Sequence, residues 1–195
     1  MKTPVKTYIY LASQSKRRQD FLRQMNIPFR VVRSRYREIR KTSIRPRELV
    51  IGHAVGKARQ AVLPKKRNLE AREFILGADT LVYFQRRVIG KPQTVQDARK
   101  ILVEMSGKSH WVYSGIALID CRTGREIVGC EKTKVWFKKW GLDNIEKYLK
   151  KVKPLDKAGA YAIQIQPSIV ARYQGSLSNV VGLPVELLRR MLRKI

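Results

Sequence analysis

The sequence predicts an α/β fold built around a mixed β-sheet. Three observations support this prediction. Strand and helix patterns alternate in the first half of the chain, strand patterns cluster in the second half, and 44% of the 195 residues are hydrophobic, as expected of a folded globular protein. A chain of this length is long enough for one domain with a full core or for two small lobes that share a sheet, and we treat residues 1–195 as a single domain.

The first unit of the chain is predicted to be a strand, a turn and a helix. Residues 7–12 have the apolar and aromatic side chains of a buried strand, and residues 16–25 carry apolar side chains at helical spacing. A second strand is predicted over 27–32. The start of the helix presents free backbone N–H groups and the positive end of the helix dipole, an arrangement that binds phosphate readily.

The centre of the chain contains one carboxylate inside an apolar strand. Pro46 favours the start of a helix that runs to about residue 62. The strand predicted over 74–84 is otherwise dominated by apolar residues, and Asp79 interrupts it. Because burying an unpaired charge is costly, Asp79 must meet a cation, a metal ion or water at a cleft. Taken alone, such an aspartate favours a structural salt bridge at a strand end.

The following part of the chain is predicted to contain two helices on either side of a long hairpin. Thr94 caps the first of them, with Asp97 three residues later as in a capping box. Strands over 110–120 and 126–137 form the hairpin. A short amphipathic helix follows over 142–151.

The C-terminal quarter is predicted to be a mixture of short elements. Residues 156–164 are predicted to form a small-residue turn that leads into a strand, and 168–173 another strand. Residues 179–184 are predicted to be a loop. Pro184 then opens a C-terminal helix over 185–193.

The two cysteines, Cys121 and Cys130, are predicted to be unpaired. They flank the turn of the hairpin. If residue 121 pairs with 126, Cys130 lies opposite 117, which places the two cysteines roughly 13 Å apart along the ladder. Two cysteines without metal-ligand spacing also make no zinc site.

The two histidines are not spaced as a metal-binding pair. His53 falls in the predicted helix after Pro46, and His110 falls at the start of the hairpin. Each is therefore predicted to pack in the core or to cap an element.

The charge is the most unusual global feature, with 42 Lys and Arg against 15 Asp and Glu, a net charge of +27. Such basicity indicates attraction to polyanions, including nucleotides and nucleic acid. The cations are spread along the whole chain, with the highest density between residues 30 and 47. We therefore expect non-specific polyanion binding that falls steeply with salt and shows no preferred sequence.

The compartment predicted from the sequence is the cytoplasm. No apolar run approaches the roughly 20 residues needed to span a bilayer, so no membrane association is expected. The N-terminus leads into an apolar segment that is too short and too soon charged for a signal peptide.

Six motifs in register resemble the Maf-type nucleotide pyrophosphatases, the septum-formation-inhibitor family. The N-terminal one is Leu-Ala-Ser-Gln-Ser-Lys-Arg-Arg at 11–18. The others are Gly-Ala-Asp-Thr at 77–80, Gly-Lys-Pro at 90–92, and the stretches 106–115, 156–164 and 179–184. They follow the order of the family and cover nearly the whole chain.

The resemblance implies an elongated mixed sheet with flanking helices and a cleft between two lobes. It also implies hydrolysis of a nucleoside triphosphate to the monophosphate and pyrophosphate with a divalent cation, Mg²⁺ or Mn²⁺. Asp79 matches the catalytic position, and Glu38 matches a second carboxylate that would share the metal with it. The positions matching phosphate-binding residues are Ser13, Ser15, Arg17, Arg18, Lys57 and Lys91. The oligomeric state, monomer or homodimer, stays open.

Three further matches indicate the nucleobase. Arg17, Thr80 and Gln164 stand where the dTTP/UTP-hydrolysing subgroup has arginine, threonine and glutamine, so the chain resembles that subgroup. The amide of Gln164 carries both a donor and an acceptor, which suits the O4/N3–H edge of thymine or uracil.

Two departures from the family pattern keep alternatives open. Lys16 replaces the usual proline before the arginine pair, and the segment before Glu38 is strongly basic. Glu38 is therefore expected either at the metal or in a salt bridge with a neighbouring arginine. The rival function is a catalytically weak Maf-like scaffold that acts as a nucleic-acid-binding or cell-division regulatory protein.

Overall fold

The computed structural model describes residues 7–39, 45–65 and 71–194 and shows one seven-stranded mixed sheet with helices around it, which confirms the predicted fold class. The strands are β1 (Thr7–Leu11), β2 (Phe29–Val31), β3 (Arg72–Phe84), β4 (Arg87–Ile89), β5 (Ser109–Asp120), β6 (Glu126–Phe137) and β7 (Val170–Gln174). The α-helices are α1 (Lys16–Gln24), α2 (Pro46–Arg59), α3 (Val95–Met105), α4 (Leu142–Leu149), α5 (Leu177–Val181) and α6 (Val185–Arg193). Part of the most basic stretch, residues 40–44, lies outside the described residues.

The longest strand, β3, organises the sheet. The strand order is β2-β1-β3-β5-β6-β7, in which β1 is parallel to β2 and β3, and the later neighbours are antiparallel. One edge of β3 pairs with β1 up to Leu76 and with the short β4 from Val82 onwards. Between these two partners, no described strand pairs with that edge. The sheet therefore has a notch at residues 77–81.

Two hydrophobic cores lie along β3, one on each side of this notch. In the first lobe, β1, β3 and β5 pack against α1 and α6 through buried side chains such as Leu22 and Leu188. In the second lobe, the other halves of β3 and β5 pack with β6, α3 and α4 through side chains such as Leu102 and Tyr148. The expected cleft between two lobes thus lies where β3 passes from the first core to the second.

Helix α2 covers the other face of the sheet at unusually short range. A Cβ atom added at Gly77 would lie 2.0 Å from the carbonyl oxygen of Ala54, and one at Gly115 would lie 2.4 Å from that of Val50. Only glycine permits this approach, because real Cβ contacts are not that short. Gly115 is also the β5 partner of Asp79, so the two glycines set the distance between α2 and the central carboxylate.

Several local predictions are confirmed. The side chain of Thr94 accepts a hydrogen bond from the backbone N–H of Asp97, and the carboxylate of Asp97 accepts one from the backbone N–H of Thr94, which completes the capping box of α3. Pro184 precedes α6 as expected. Among the described residues, no helix has the length and apolar character needed to cross a membrane.

Two C-terminal predictions are wrong. The stretch 156–164 does not lead into a strand. It begins with the last residue of one 3₁₀ turn (Pro154–Asp156) and contains a second (Ala158–Ala160), and Gly159 and Ala160 adopt positive φ angles of 73° and 61°. The loop predicted over 179–184 begins inside the short helix α5. The side chain of Ser176 caps α5, and Gly182 ends it at a φ of 124°.

The register predicted for the hairpin is also wrong, by two residues. Cys130 lies opposite Gly115 and not opposite residue 117. The turn falls one residue earlier than expected, because the carboxylate of Asp120 accepts hydrogen bonds from the backbone N–H groups of Arg122 (2.8 Å) and Thr123 (3.1 Å). Cys121 and Cys130 nevertheless form no disulfide with each other, as predicted.

Candidate active site

The notch in the sheet opens into a cleft of about 1220 Å³. Asp79 and Thr80 line its floor, at the part of β3 whose edge pairs with neither β1 nor β4. Every site residue predicted from the sequence lines this cleft: Ser13, Ser15, Arg17, Arg18, Glu38, Lys57, Asp79, Thr80, Lys91 and Gln164. The fold thus brings together residues that are spread over about 150 positions of the sequence.

Asp79 is buried and accepts hydrogen bonds from two side chains of α2, Lys57 and His53. It is only 9% exposed. The ammonium of Lys57 donates to its Oδ1 at 2.7 Å, and Nδ1 of His53 donates to its Oδ2 at 3.0 Å. Burial alone would raise the pKa of Asp79, but the hydrogen bond from His53 and the charge and hydrogen bond of Lys57 outweigh it, so this pKa lies below its ordinary value. Asp79 is therefore ionised at neutral pH.

The ammonium of Lys57 also contacts the second predicted carboxylate. Its Nζ lies 2.7 Å from Oε1 of Glu38, the same distance as from Asp79. Of the two positions expected for Glu38, the structure shows a salt bridge. Among the described residues its partner is Lys57, where an arginine was expected. The carboxylates of Glu38 and Asp79 come from different segments and both contact the ammonium of Lys57. Together they form a binding site for a cation.

His53 is a site residue that the sequence analysis missed. Its Nε2 lies 3.1 Å from the carbonyl oxygen of Ile39, while Nδ1 contacts Asp79. Both partners only accept hydrogen bonds, so the ring satisfies both when each nitrogen carries a proton. The hydrogen bond to Asp79 raises the pKa of His53 against the opposing effect of burial. His53 thereby connects the central strand to the segment that carries Glu38.

One sequence signal could have identified His53. It precedes Lys57 by four residues, and side chains at this spacing share one face of a helix. Since Lys57 was predicted to lie at the site, the same face of α2 predicts that His53 lies there too. His110, by contrast, is packed in the second lobe as predicted, with its Nε2 2.9 Å from the hydroxyl of Tyr161.

On the neighbouring position of β3, Thr80 belongs to a second network that holds Arg18. Nε of Arg18 donates to the carbonyl oxygen of Gly182 (2.8 Å), and its terminal nitrogens donate to Oγ of Ser13 (2.8 Å) and Oγ1 of Thr80 (3.2 Å). Oγ1 of Thr80 also lies 2.8 Å from Oγ of Ser114. Burial lowers the pKa of Arg18.

The three acceptors of Arg18 are uncharged oxygens. They fix the guanidinium in position without neutralising its charge. Such a fixed cation beside a cleft suits an anionic ligand, because its orientation is established before the ligand arrives.

The remaining predicted residues form the mouth of the cleft. Ser15 is the N-cap residue of α1, and its backbone N–H donates to Oγ of Ser13 at 3.3 Å. Arg17 reaches across to the carboxylate of Asp156, 3.2 Å away in the second lobe. Lys91 comes from the segment after β4, and Gln164 is exposed in the turns after the second 3₁₀ turn.

The donor set in the cleft fits a small divalent cation. One ligand atom from each of Glu38, His53 and Asp79 lies within 4.8 Å of the others. The two carboxylates already share one cationic partner, the ammonium of Lys57, at 2.7 Å. Carboxylate oxygens are the ligands that Mg²⁺ and Mn²⁺ prefer, and substrate phosphates and water complete their coordination.

Comparison with known proteins gives consistent matches. The sequence profile of the family described as Maf-like protein matches residues 8–195. A dTTP/UTP pyrophosphatase of Alkaliphilus oremlandii is 39% identical over 184 residues, which cover 94% of this chain and 93% of that protein. Proteins of the same name from Gloeobacter violaceus (40% identity; 94% of each chain) and Bdellovibrio bacteriovorus (36%; 97% of this chain and 100% of that protein) match over similar lengths.

Proposed function

The chain belongs to the Maf family, and we propose that it is a nucleotide pyrophosphatase that hydrolyses dTTP and UTP to the monophosphate and pyrophosphate. The curated relatives that carry this activity in their names match almost the full chain at 36–40% identity. The observation that carries the proposal is the convergence of ten site residues on one cleft. A cleft with two carboxylates among several cations suits a reaction that handles water and phosphates together.

We assign the phosphates to the cationic part of the cleft. Arg18 is fixed by neutral oxygens, and Lys91, Arg17 and the N-terminus of α1 line the same space. These groups stabilise the negative charge that develops on the departing pyrophosphate. Ser13 contributes indirectly, because its hydroxyl accepts a hydrogen bond from Arg18.

Asp79 is the group we assign to the attacking water. The water oxygen forms a bond to the α-phosphorus while the bond from that phosphorus to the bridging oxygen of pyrophosphate breaks. Asp79 is ionised, so it can orient the water and accept its proton. Its lowered pKa makes it a weak base before substrate binds. Phosphates that draw Lys57 away and add negative charge nearby raise that pKa towards the useful range.

A bound Mg²⁺ or Mn²⁺ supplies charge neutralisation at the phosphates, and we propose that Asp79 and Glu38 hold it. In the structure their carboxylates are held by Lys57. The same lysine is therefore free to turn towards a phosphate when a metal ion takes its place. His53 keeps Asp79 and the Glu38 segment together throughout, since it contacts both.

We propose that Gln164, Arg17 and Thr80 determine the base. Gln164 offers a donor and an acceptor at the second-lobe end of the cleft. Thr80 acts by holding Arg18 and leaving room beside it. A purine would leave polar groups unpaired, at about 1–3 kcal/mol each. Two such mismatches correspond to discrimination of roughly 30-fold or more.

A nucleotide panel with released pyrophosphate as the readout tests the proposed activity. We expect kcat/KM for dTTP and UTP to exceed that for dATP and dGTP, with turnover that requires Mg²⁺ or Mn²⁺. Gln164→Glu should reduce the preference, because it places an acceptor where a donor is needed. Equal turnover of all four triphosphates, or an unchanged ranking in the variant, would contradict the assignment of Gln164.

The cellular setting that we propose is the cytoplasm, where nucleoside triphosphates are held. Two physiological roles fit the activity: removal of modified pyrimidine nucleotides from the pool, and restraint of cell division at septum formation. A scaffold without activity is the weaker alternative, because a protein that only binds nucleic acid has no use for Asp79 and Glu38 facing the cations of a phosphate cleft.

A further inference from the structure

One region of the sheet combines tryptophan rings with unpaired cations. This region lies on the side of the sheet that α2 covers, beyond the start of that helix. It is formed by β5, β6 and β7. We call it the aromatic–basic face and define it as Trp111, Lys132, Lys134, Trp136 and Arg172. Trp111 lies directly opposite Lys134, and Trp136 lies directly opposite Arg172. Both rings are partly exposed, and neither belongs to a hydrophobic cluster of the described residues.

The cations of this face lie over the rings. The ammonium groups of Lys132 and Lys134 are 5.2 and 5.6 Å from the centroid of the Trp111 ring, and that of Lys134 is also 5.0 Å from the centroid of Trp136. The guanidinium of Arg172 stacks on Trp136 at 3.6 Å. These contacts align the side chains in a row across three strands.

The positive charge of this face is not neutralised by carboxylates. Among the ion pairs of the described residues, none involves Lys132, Lys134 or Arg172. Glu131, the nearest acid in sequence, pairs with Arg190 at 3.5 Å.

A groove of about 540 Å³ continues the face towards α2. Arg45, Arg47, Tyr113 and Lys132 line it together with Pro46, Cys130 and Glu131. Arg45 has a long contact to Glu48 at 4.0 Å. With three cations against one lining carboxylate, the groove adds to the positive potential of the row.

We propose that the aromatic–basic face binds single-stranded nucleic acid. Bases stack on Trp111 and Trp136 in place of the cations that lie over these rings, and the displaced cations contact the phosphates. Sequence-tolerant binding of single strands requires this combination of π-faces and a cationic track. The net charge of +27 supplies long-range attraction that hydrolysis of a mononucleotide does not need. The spacing of adjacent strands and of alternate residues places the Cα atoms of the two tryptophans roughly 8 Å apart, which nearby nucleotides of one unstacked strand can bridge.

The face is separate from the candidate active site. Trp111 lies opposite Tyr83, four residues along β3 from Asp79. Neither tryptophan lines the cleft. Binding at the face therefore leaves the cleft accessible, and the proposal does not require loss of the enzymatic activity.

A stacking surface and diffuse basicity predict different preferences between duplexes and single strands. Diffuse basicity predicts binding to any polyanion in proportion to its charge, with duplexes included. A stacking surface predicts a preference for single strands, because the bases of a duplex are not free to stack on protein. Base sequence should matter little in either case, since every base has a π-face.

The test uses the full-length protein with oligo(dT), oligo(U), a DNA duplex of equal length and heparin. Binding is followed by fluorescence anisotropy of a labelled oligonucleotide and by quenching of tryptophan emission. Trp140, the third tryptophan, packs edge-on against Tyr148 at 5.7 Å in the second lobe. Trp140→Phe is therefore the matched control, since it removes a tryptophan that does not belong to the face.

We expect the single strands to quench emission and to bind more tightly than the duplex at physiological salt. Trp111→Ala combined with Trp136→Ala should abolish the quenching and weaken binding roughly tenfold or more, with pyrophosphate release unchanged. Lys132→Gln combined with Lys134→Gln should reduce the slope of log K against log salt by roughly 0.7 for each phosphate that the protein no longer neutralises.

A second double variant, Trp111→Phe with Trp136→Phe, keeps aromatic rings at both positions and guards against misfolding of the alanine variant. We expect it to retain most of the affinity. Three results would overturn the proposal: equal affinity for duplex and single strand, equal binding by the alanine and phenylalanine variants, or quenching by phosphatidylserine vesicles in place of the oligonucleotides. Each of them is independent of the outcome of the nucleotide panel.

Discussion

The two buried histidines show how differently the cleft and the second-lobe core treat the same side chain. His53 is 8% exposed and His110 is 2% exposed. His53 lies between Asp79 and a carbonyl oxygen, and its hydrogen bond to Asp79 raises its pKa. His110 meets the hydroxyl of Tyr161 and the edge of the Phe137 ring, and burial lowers its pKa to about 3.

The difference indicates where this protein tolerates buried charge. A buried ion cluster is weak support for stability, because the cost of removing charges from water can exceed their mutual attraction. The second-lobe core avoids that cost by keeping His110 neutral. The cleft accepts it in the cluster of Asp79, Lys57 and His53, which fits groups retained for binding and chemistry.

The largest effect is expected when the central charge of the cleft is removed by Asp79→Asn. We expect kcat to fall by roughly 100-fold or more, because the substitution removes the group that we propose orients the water and holds the cation. Nucleotide affinity should be kept or increased, since one repulsive charge is lost. Pyrophosphate release and equilibrium nucleotide binding measure the two effects separately.

Asp120→Asn is the matched control for loss of a buried carboxylate. Asp120 is 1% exposed, at the end of β5, and it caps the hairpin turn outside the cleft. We expect that variant to lose stability while its kcat stays close to that of the parent protein. Near-normal turnover in Asp79→Asn would instead assign Asp79 a structural salt bridge alone.

The sequence predicted those parts of the fold that local patterns specify. The capping box at Thr94, the strand through Asp79 and the α6 start at Pro184 depend on neighbouring residues only. The hairpin register depends on which side chain accepts hydrogen bonds from the backbone N–H groups of the turn. Asp120 accepts them, and the turn therefore lies one residue earlier than predicted.

The motifs predicted which residues line the cleft, whereas the contacts between these residues depend on the tertiary structure. Gly77 and Gly115 allow α2 to approach the sheet, and only that approach brings His53 to Asp79. Ser114 contacts Thr80 across two paired strands. The aromatic–basic face could not be predicted from any single segment of the sequence either, because its residues come from three strands.

A smaller perturbation of the cleft is His53→Leu, compared with His53→Gln. Leucine removes both hydrogen bonds, whereas glutamine keeps a side-chain amide that can donate. We expect kcat to fall roughly tenfold in the leucine variant, as for loss of a hydrogen bond to a charged group, with a smaller change in KM. The glutamine variant should recover part of the loss.

That partial recovery distinguishes positioning of Asp79 from simple filling of space. If leucine and glutamine give the same kcat, His53 acts only through its volume. If both variants keep the parent kcat, His53 has no part in the reaction, and its raised pKa is a by-product of its location.

The smallest effect concerns the other histidine and appears only on acidification. In the folded protein His110 stays neutral down to about pH 3, whereas in the unfolded chain it binds a proton near pH 6.5. The unfolded state therefore takes up more protons below pH 6.5, and the stability of the fold decreases as the pH falls towards 3. Between about pH 7.5 and 5.5 this single group should lower the free energy of unfolding by about 1.4 kcal/mol.

His110→Gln isolates this contribution, because glutamine cannot titrate but can still meet the hydroxyl of Tyr161. Urea unfolding of both proteins at about pH 7.5 and 5.5 gives the difference in pH dependence, and all other titrating groups, His53 included, are common to the two. We expect the variant to lose about 1.4 kcal/mol less than the parent over this range. Since the range lies well above the folded pKa of about 3, the expected difference depends on the unfolded value alone. Parallel pH profiles would mean that His110 takes up a proton in the folded core over the same pH range as in the unfolded chain. The second-lobe core would then not exclude charge, in contradiction to the difference inferred between it and the cleft.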